Sequence, residues 1–252
     1  MLDLRVLHYF LTEDGLFLKK RAEEILSLAS HTEEELRSDN TELNGNIRIG
    51  SAESDSVRFL MHAAHKLQLT YPHLHFHITS GDGPAMMEFL DKGLIDMAVI
   101  YSHADTEKYE VLPCPTVDHW GLLLRRDNPL SQKEKITPQD LWDEKLIVSN
   151  QVLHGDNHAD KLQGWLKKPL ADLHISATYS LAYNASRMGS EGRGSCIMLE
   201  KIIHIPQDDP DLCFRLLNPP LEDRLFIVWK RFQLFSKGTQ AFINLLKQEI
   251  PK

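Results

Sequence analysis

The segment NIRIGSAESDSVRFLMHAAHKLQLTYPHLHFHITSGDGPAMMEFLDKGLIDMAVIY, residues 46–101, alternates short apolar runs with amphipathic stretches. Continuous or alternating apolar runs predict strands, and apolar residues three and four apart predict helices. The elements predicted in this way are a strand at 47–50, a helix at 55–69, a strand at 73–79, a helix at 84–92 and a strand at 94–101. Strands that alternate with helices are typical of a parallel sheet covered by helices, so the sequence predicts an α/β fold.

The second half of the chain repeats this alternation and ends in an amphipathic helix at 239–249. Its predicted strands lie at 120–125, 146–148, 175–179, 196–199 and 225–230. Two Pro-rich stretches, Pro113-Cys114-Pro115 and residues 210–220, indicate crossings between two α/β lobes that face each other across a cleft. We therefore expect lobe I to comprise residues 46–117 with about 231–252, and lobe II to comprise residues 118–230.

A long helix is predicted before the first lobe, from residue 11 to about 39, with Thr12 as its N-cap. Two series of residues seven apart give this helix a narrow seam like that of a coiled coil: Leu11, Leu18 and Ile25, and Ala22, Ala29 and Leu36. Such a seam is buried either against the helix's own domain or against a partner helix. We favour dimerisation because the seam is narrow and the helix is long, and we assign residues 11–45 to a linker helix and its turn.

Composition excludes several classes of protein. The formal net charge is −8, which does not indicate a nucleic-acid surface. The three cysteines are scattered without a CxxC pair, no apolar run reaches the length of a membrane span, and residues 1–10 lack a signal-peptide core. We therefore expect a reduced, cytoplasmic chain that does not act at a membrane.

Motifs of enzymes and metal sites are missing from the sequence. There is no GxSxG elbow, phosphate-binding loop, HExxH or dinucleotide fingerprint, so we expect no catalytic residues and no cofactor. His73, His75 and His77 alternate and would share one face of a strand. A metal site there, or at His154 and His158, is less favoured than a solvent-exposed strand or a loop, and no metal is predicted.

Three short turns follow predicted strands and precede predicted helices, so their backbone N–H groups could bind a ligand. The residues are Ser51, Ala52, Glu53 and Ser54 in the first turn, Gly81 and Asp82 in the second, and Ser149, Asn150 and Gln151 in the third. Each turn alone is also explained as a helix cap; convergence of all three on one cleft would indicate a site. Glu53 and Asp82 bring negative charge, which complicates the usual expectation that such turns bind an anionic ligand.

Several stretches resemble the LysR-type transcriptional regulators. LTEDGLFLKKRAEEILSLASHTEEELRSDNTELNGNIRIG at 11–50 resembles that family's linker helix and first effector-domain strand. YPHLHFHITSGDG, FLDKGLIDMAVIY, RRDNPL and PPLEDRLFIVWKR resemble later landmarks in the same order. The resemblance implies a two-lobed effector domain similar to periplasmic solute-binding proteins, a small-molecule effector between the lobes, and a homodimer or homotetramer.

Matched by position, the resemblance also implies roles for individual residues. Ser54, Asp82, Ile100, Tyr101 and residues 149–151 would line the cleft, and Gly194 and Ser195 would lie near its mouth. The helix at 55–69 would contribute a second dimer surface through Val57, Leu60, Met61 and Ala64.

The sequence departs from the family at its beginning. MLDLRVLHYF, residues 1–10, resembles the start of a winged helix-turn-helix, but most of that module has no counterpart between Phe10 and Leu11. Promoter DNA is therefore an expected partner only if a winged helix-turn-helix is supplied. The function implied is the effector-sensing and oligomerising part of a transcriptional regulator; the alternatives are a free-standing small-solute-binding protein and an enzyme on an α/β scaffold.

Ile25→Glu is expected to weaken self-association, because it places a charge in the seam of the linker helix. Sedimentation velocity would measure the change, with Glu23→Lys on the polar side of the helix as the control. An unchanged sedimentation coefficient for Ile25→Glu would contradict dimerisation through this seam.

Overall fold

The computed structural model describes residues 12–37, 43–101, 104–153 and 157–250. Its helices are α1 (Glu13–Arg37), α2 (Arg58–Thr70), α3 (Gly83–Asp91), α4 (Asn150–Leu153), α5 (Asn157–Leu166), α6 (Ala182–Ser190) and α7 (Lys237–Glu249). Its strands are β1 (Gly45–Ser51), β2 (Leu74–Ser80), β3 (Met97–Ile100), β4 (Tyr109–Pro113), β5 (Asp118–Arg125), β6 (Lys135–Ile136), β7 (Leu146–Ser149), β8 (Ile175–Tyr179), β9 (Ser195–Leu199), β10 (Leu212–Leu217), β11 (Glu222–Asp223) and β12 (Phe226–Lys230).

Lobe I contains a sheet in the order β2-β1-β3-β12-β4. The first three strands are parallel, as the alternation of strands and helices predicts, and β12 runs antiparallel to both β3 and β4. Apolar residues of α2 and α7 pack with Ile47 and Ile49 in one core, and α3 packs with Ile100 in a second. The sheet of this lobe is thus covered by helices, and the carboxyl ends of its parallel strands β1, β2 and β3 lie at one edge.

Lobe II contains a second sheet in the order β6-β10-β5-β9-β7-β8, with β11 paired to β5. β7 is parallel to β8 and β9, and β5 is antiparallel to β9 and β10. Gly121 allows the close approach of β10, because a Cβ there would lie 2.3 Å from the Phe214 ring and 2.6 Å from the Arg215 carbonyl oxygen. The two sheets confirm the predicted two-lobed α/β class.

Two segments connect the lobes, one between β4 and β5 and the other between β11 and β12. They are hydrogen-bonded to each other: the Cys114 N–H donates to the Leu225 carbonyl at 2.8 Å, and the Arg224 guanidinium donates to the Cys114 carbonyl at 3.3 Å. The chain therefore crosses the gap twice at one place, which forms the hinge.

Two sequence-based assignments near this hinge are wrong. The sequence predicts the second crossing within 210–220, but Leu212–Leu217 form β10 of the lobe II sheet. It also predicts that residues 226–230 belong to lobe II, but they form β12, which pairs with β3 and β4 of lobe I. The Pro residues of this stretch flank a strand rather than mark the crossing.

The linker helix α1 is 25 residues long and starts as predicted, with the Thr12 hydroxyl accepting the Gly15 N–H at 3.1 Å. The seam residues Leu18 and Ile25 are 68% and 67% exposed, and Ala22 and Ala29 are exposed as well. Lys92 of lobe I donates to Glu24 at 2.8 Å. Residues 1–11 and the side chain of Leu36 lie outside the described part of the chain. The resemblance of residues 1–10 to the start of a winged helix-turn-helix therefore stays a prediction.

The second dimer surface is partly corrected. Leu60 and Ala64 are 0% and 5% exposed and belong to the core of lobe I, so they are not available to a partner. Met61 of the same helix is exposed, and Val57, in the 3-10 turn that precedes the helix, is half-buried. The apolar face of α2 is used to cover its own sheet, because β1 and β2 would otherwise expose that side of the lobe.

The histidine series lies on an edge strand. His73, His75 and His77 are exposed beside or within β2, and the His77 ring is 2.8 Å from the Asn46 side-chain oxygen. His154 and the side chain of His158 lie outside the described residues. Within the part of the chain that the structure describes, no three His, Cys, Asp or Glu residues are grouped to hold a metal, and no helix is long and apolar enough to cross a bilayer.

Candidate functional site: the interlobe cleft

A small cavity of about 60 Å³ lies between the lobes, beyond the carboxyl ends of β1, β7 and β8. Lobe I lines it with Ala52, Glu53, Gly81 and Tyr101. Lobe II lines it with Trp120, Ser149, Gln151, Val152, Tyr179, Ser180, Leu181, Ala182, Leu199 and Ile202. The volume holds a few water molecules, so a larger ligand would enter with the lobes further apart.

One hydrogen bond crosses the cavity from lobe to lobe. The Glu53 carboxylate, in the turn after β1, accepts the backbone N–H of Ala182 at 3.0 Å. Ala182 is the first residue of α6, and the residue before it, Leu181, provides no side-chain cap. Glu53 therefore caps this helix from the opposite lobe, where the helix dipole favours a negative charge.

A buried carboxylate at the hinge fixes the lobe I side of the cavity. Asp118, the first residue of β5, is 5% exposed. It accepts hydrogen bonds from the hydroxyls of Ser54 at 2.7 Å, Ser56 at 2.9 Å and Tyr101 at 2.8 Å. Burial, followed by the nearby charge of Asp118, raises the pKa of Tyr101 far above its usual range, so Tyr101 remains a donor.

A second buried carboxylate fixes the lobe II side. Asp223 of β11 stands opposite Asp118 in the β5–β11 pair. It accepts the Trp120 indole N–H at 2.8 Å and forms an ion pair with Lys161. The orientations of Tyr101 and Trp120, which both line the cavity, are thus set by two neighbouring acids of the hinge.

The third aromatic side chain is also anchored by its polar atom. The Tyr179 hydroxyl donates to the Ile197 carbonyl at 2.9 Å, and burial raises the pKa of this tyrosine above its usual range. With their polar atoms bonded elsewhere, the three aromatic residues provide largely apolar walls. Ser149, Gln151 and Ser180 add polar groups, and the arrangement is that of a binding site for a small molecule with apolar and polar parts.

The structure brings together six of the residues that the sequence proposed for ligand binding: Ala52, Glu53, Gly81, Tyr101, Ser149 and Gln151. The others are engaged elsewhere. The hydroxyl of Ser51 is buried and bonded to the Ala52 carbonyl, Ser54 belongs to the Asp118 network, and Asp82 caps α3 by accepting the Ala85 N–H at 2.9 Å. Asn150 is not among the residues that line the cavity.

Ile100, Gly194 and Ser195, which the sequence predicts in or near the cleft, do not line this cavity. Ile100 is fully buried in the core beneath α3. Ser195 begins β9, whereas Leu199 at the other end of that strand lines the cavity. The Ser195 hydroxyl donates to Glu144 at 2.6 Å, and a Cβ at Gly194 would lie 2.5 Å from the Lys145 carbonyl oxygen. These residues shape the turn at the amino end of the strand, away from the cleft.

The lining residues that the sequence prediction missed all come from lobe II. Four of them are consecutive: Tyr179 ends β8, Ser180 and Leu181 form the turn, and Ala182 begins α6. This is the same order of strand, turn and helix by which the sequence analysis chose the other three turns. The same rule would therefore have predicted this turn as part of the site. Trp120 carries no such signal, because its place in the cavity depends on where the chain crosses between lobes.

The three cysteines, Cys114, Cys196 and Cys213, are buried and free. Desolvation raises the pKa of both Cys114 and Cys196 to about 12. The Cys196 thiol also donates to the Ala185 carbonyl at 3.1 Å. Nucleophilic thiolates are low in pKa and accessible, which neither of these thiols is.

Two lobes that enclose a cavity at their hinge define a ligand-binding domain of the periplasmic-binding-protein type. Comparison with known families agrees with this architecture. The chain belongs to the family described as the LysR substrate binding domain, whose model matches residues 40–251.

Individual relatives are distant in sequence. The chain is 20% identical over 260 residues to an uncharacterised HTH-type transcriptional regulator, YfeR, of Shigella flexneri, covering 99% of this chain and 79% of that protein. It resembles the crystal structure of CbnR, a LysR family transcriptional regulator, with a TM-score of 0.76 and 15% identity over 98% of this chain and 84% of CbnR. It also resembles the effector binding domain of QuiR in complex with shikimate, with a TM-score of 0.69 and 16% identity over 83% of this chain and all of that one.

Asp118→Ala is expected to lower the free energy of unfolding by about 3 kcal/mol, because three hydroxyl donors lose their acceptor at about 1 kcal/mol each. Urea denaturation would measure the change. Asp208→Ala, at an exposed position of lobe II, is the control and is expected to change stability by less than about 0.5 kcal/mol. A loss for Asp118→Ala as small as that of the control would contradict the role given to this carboxylate.

The native cysteines are expected to resist a thiol reagent at pH 8, because all three are buried and two have a pKa of about 12. Absorbance with a chromogenic disulfide would follow the reaction, which should proceed only as fast as the chain unfolds. Thr178→Cys on exposed β8 provides a fast-reacting positive control. Rapid reaction of the unmodified chain would show that a thiol is accessible.

Proposed function

We propose that this chain is the effector-sensing and oligomerising part of a LysR-type transcriptional regulator. The observation that carries the proposal is the cavity between the lobes, bridged by the Glu53–Ala182 hydrogen bond. A molecule bound there touches both lobes, so its affinity depends on how closely they approach. Such a ligand shifts the population of lobe arrangements by its unequal affinity for them.

The proposal includes a route from the cleft to the linker helix. Lobe I carries both Glu53 and Lys92, and Lys92 bonds both Glu24 of α1 and Glu88 of α3. The hydrogen bond from Lys92 is the main reason why the pKa of Glu24 lies below its usual value. Because this contact holds α1 against lobe I, a change in the position of lobe II relative to lobe I is also a change in its position relative to α1, the helix that would bind a second copy.

Self-association would use the exposed seam of α1. Four residues of the seam, Leu18, Ala22, Ile25 and Ala29, are open to a partner in the single chain. We propose a homodimer or homotetramer, which would contact promoter DNA only if a winged helix-turn-helix is supplied. The effector would act on transcription by changing the geometry of that assembly.

A free-standing solute-binding protein is the weaker alternative. It accounts for the cleft but gives no role to the exposed seam of α1. The family of this chain, and the description of YfeR as a transcriptional regulator, support the regulator. The same family membership argues against an enzyme.

A thermal-shift screen of amino acids, amines, small carboxylic acids and small aromatic compounds tests the proposal. A true effector at about 100 times its Kd adds about 2.7 kcal/mol of stability, which raises the Tm of a chain of this size by roughly 5–10 °C. Small-angle scattering in the same compound is expected to show a changed radius of gyration.

Two variants locate the binding. Ser180→Trp fills the cavity from an exposed turn and is expected to abolish the Tm shift. Gln163→Trp, exposed on α5 and outside the cavity lining, is expected to keep it. Stabilisation that survives in Ser180→Trp would move the site elsewhere, and turnover of the compound would replace the proposal with an enzymatic function.

A further inference from the structure

The charge of the cleft distinguishes between classes of effector. Among the described residues that line the cavity, Glu53 alone carries a side chain that is charged at neutral pH. It is half-buried, and one of its carboxylate oxygens, Oε2, holds the N–H of Ala182. The lining therefore offers a ligand one negative charge and no positive one.

The second layer of residues adds to this negative potential. Asp118 and Asp223 stand opposite each other behind Tyr101 and Trp120, with their side chains almost fully buried. Lys161 pairs with Asp223, whereas the partners of Asp118 that the hydrogen bonds identify are the hydroxyls of Ser54, Ser56 and Tyr101. Charges in a desolvated setting are screened less than charges in water, so a cation in the cavity would be attracted by this layer as well.

Basic residues near the mouth are paired with acids of their own. Arg58 lies 3.7 Å from Asp55, and Lys201 lies 3.4 Å from Glu200. Both basic side chains are strongly exposed. They border a neighbouring depression that also contains Glu53, but neither lines the interlobe cavity. An anion entering the cavity would therefore approach Glu53 without a basic side chain in the lining to balance its charge.

The first N–H of α6, at the helix terminus that would otherwise attract an anion, already has a partner. The first N–H of α6 points at a carboxylate that belongs to the chain itself. A carboxylate or phosphate ligand could reach this N–H only by displacing Glu53 and leaving two negative charges close together. The lining contains three aromatic side chains, Tyr101, Trp120 and Tyr179, and aromatic rings attract ammonium and guanidinium groups that lie over their faces.

We infer that the effector carries a positive charge, an amine or a related cation, which binds against Glu53 and the aromatic walls. This inference rests on the proposed function and specifies the chemical class of ligand for the same site. Because Glu53 also bonds the Ala182 N–H across the cavity, the closing of the lobes on the cation would hold this carboxylate in place beside it. Binding of the cation and approach of the lobes would then depend on the same side chain.

Matched probes of equal size test the charge. Butylammonium and benzylammonium chlorides are compared with sodium butyrate and sodium benzoate, and with neutral butanol and benzyl alcohol, at one ionic strength. Thermal shift and isothermal titration are measured on the full chain. The ammonium probes are expected to raise the Tm, and the carboxylates of the same size are expected not to.

Glu53→Gln separates charge from hydrogen bonding, because the amide oxygen can still accept the Ala182 N–H. This variant is expected to bind the ammonium probes about tenfold or more weakly, the effect of losing a charged partner. Asp82→Asn removes the same charge from the rim, outside the cavity lining, and is expected to leave ammonium binding within about twofold. Circular dichroism of each variant checks that the fold is retained.

The outcomes separate this inference from the proposed function. Carboxylate probes that stabilise the chain better than ammonium probes, equal ammonium binding by Glu53→Gln, or no Tm shift from either ammonium probe would each overturn the inferred charge. None of these results contradicts the proposal that the cleft is the binding site. That proposal is contradicted only if the stabilisation found in the metabolite screen persists in Ser180→Trp. Ammonium binding that is lost in both Glu53→Gln and Ser180→Trp supports the two together.

Discussion

The buried carboxylate of Asp118 is the constraint on which the geometry of the cleft depends. An acid removed from water at this position is tolerated because three hydroxyl groups donate to it. Two of these donors come from the turn after β1 and the third from the end of β3, so one side chain of the hinge fixes two loops of lobe I. Glu53 lies in the first of these loops, next to Ser54. Asp118 therefore holds Glu53 where its carboxylate can accept the Ala182 N–H of α6.

The same network explains why the aromatic walls are fixed rather than adaptable. Tyr101 and Trp120 each use their polar atom to satisfy a buried acid, and Tyr179 uses its hydroxyl on a backbone carbonyl. Rotation of any of these rings would leave a buried polar atom without its partner, which is costly. Recognition in the cleft therefore depends on a preformed surface, and the movement that admits a ligand is left to the hinge.

Much of the fold could be predicted from the sequence, because residues 46–101 follow simple rules of periodicity and capping. The strand, helix and strand order there leaves few arrangements other than a parallel sheet. The strand at 225–230 could be predicted, but its place between β3 and β4 in the sheet of lobe I could not. That pairing joins strands more than a hundred residues apart in the chain. β10 was missed for a different reason: its Pro-rich flanks indicated a crossing. In the site, the turns after strands indicated lining residues. The place of Trp120 in the cavity and the hydrogen bond from Ser54 to Asp118 could not be predicted, because both depend on how the chain folds at the hinge.

The path of the chain makes lobe II an insertion within lobe I, and this has a consequence for synthesis. β4 pairs with β12 in the sheet of lobe I, and β12 is followed by α7, whose Phe242 and Leu246 belong to the main core. As the polypeptide leaves the ribosome, all strands of lobe II emerge before the strand that completes lobe I. Lobe II can therefore fold first. Until β12 is translated, β3 of lobe I lacks one of its partner strands and the sheet of lobe I stays incomplete.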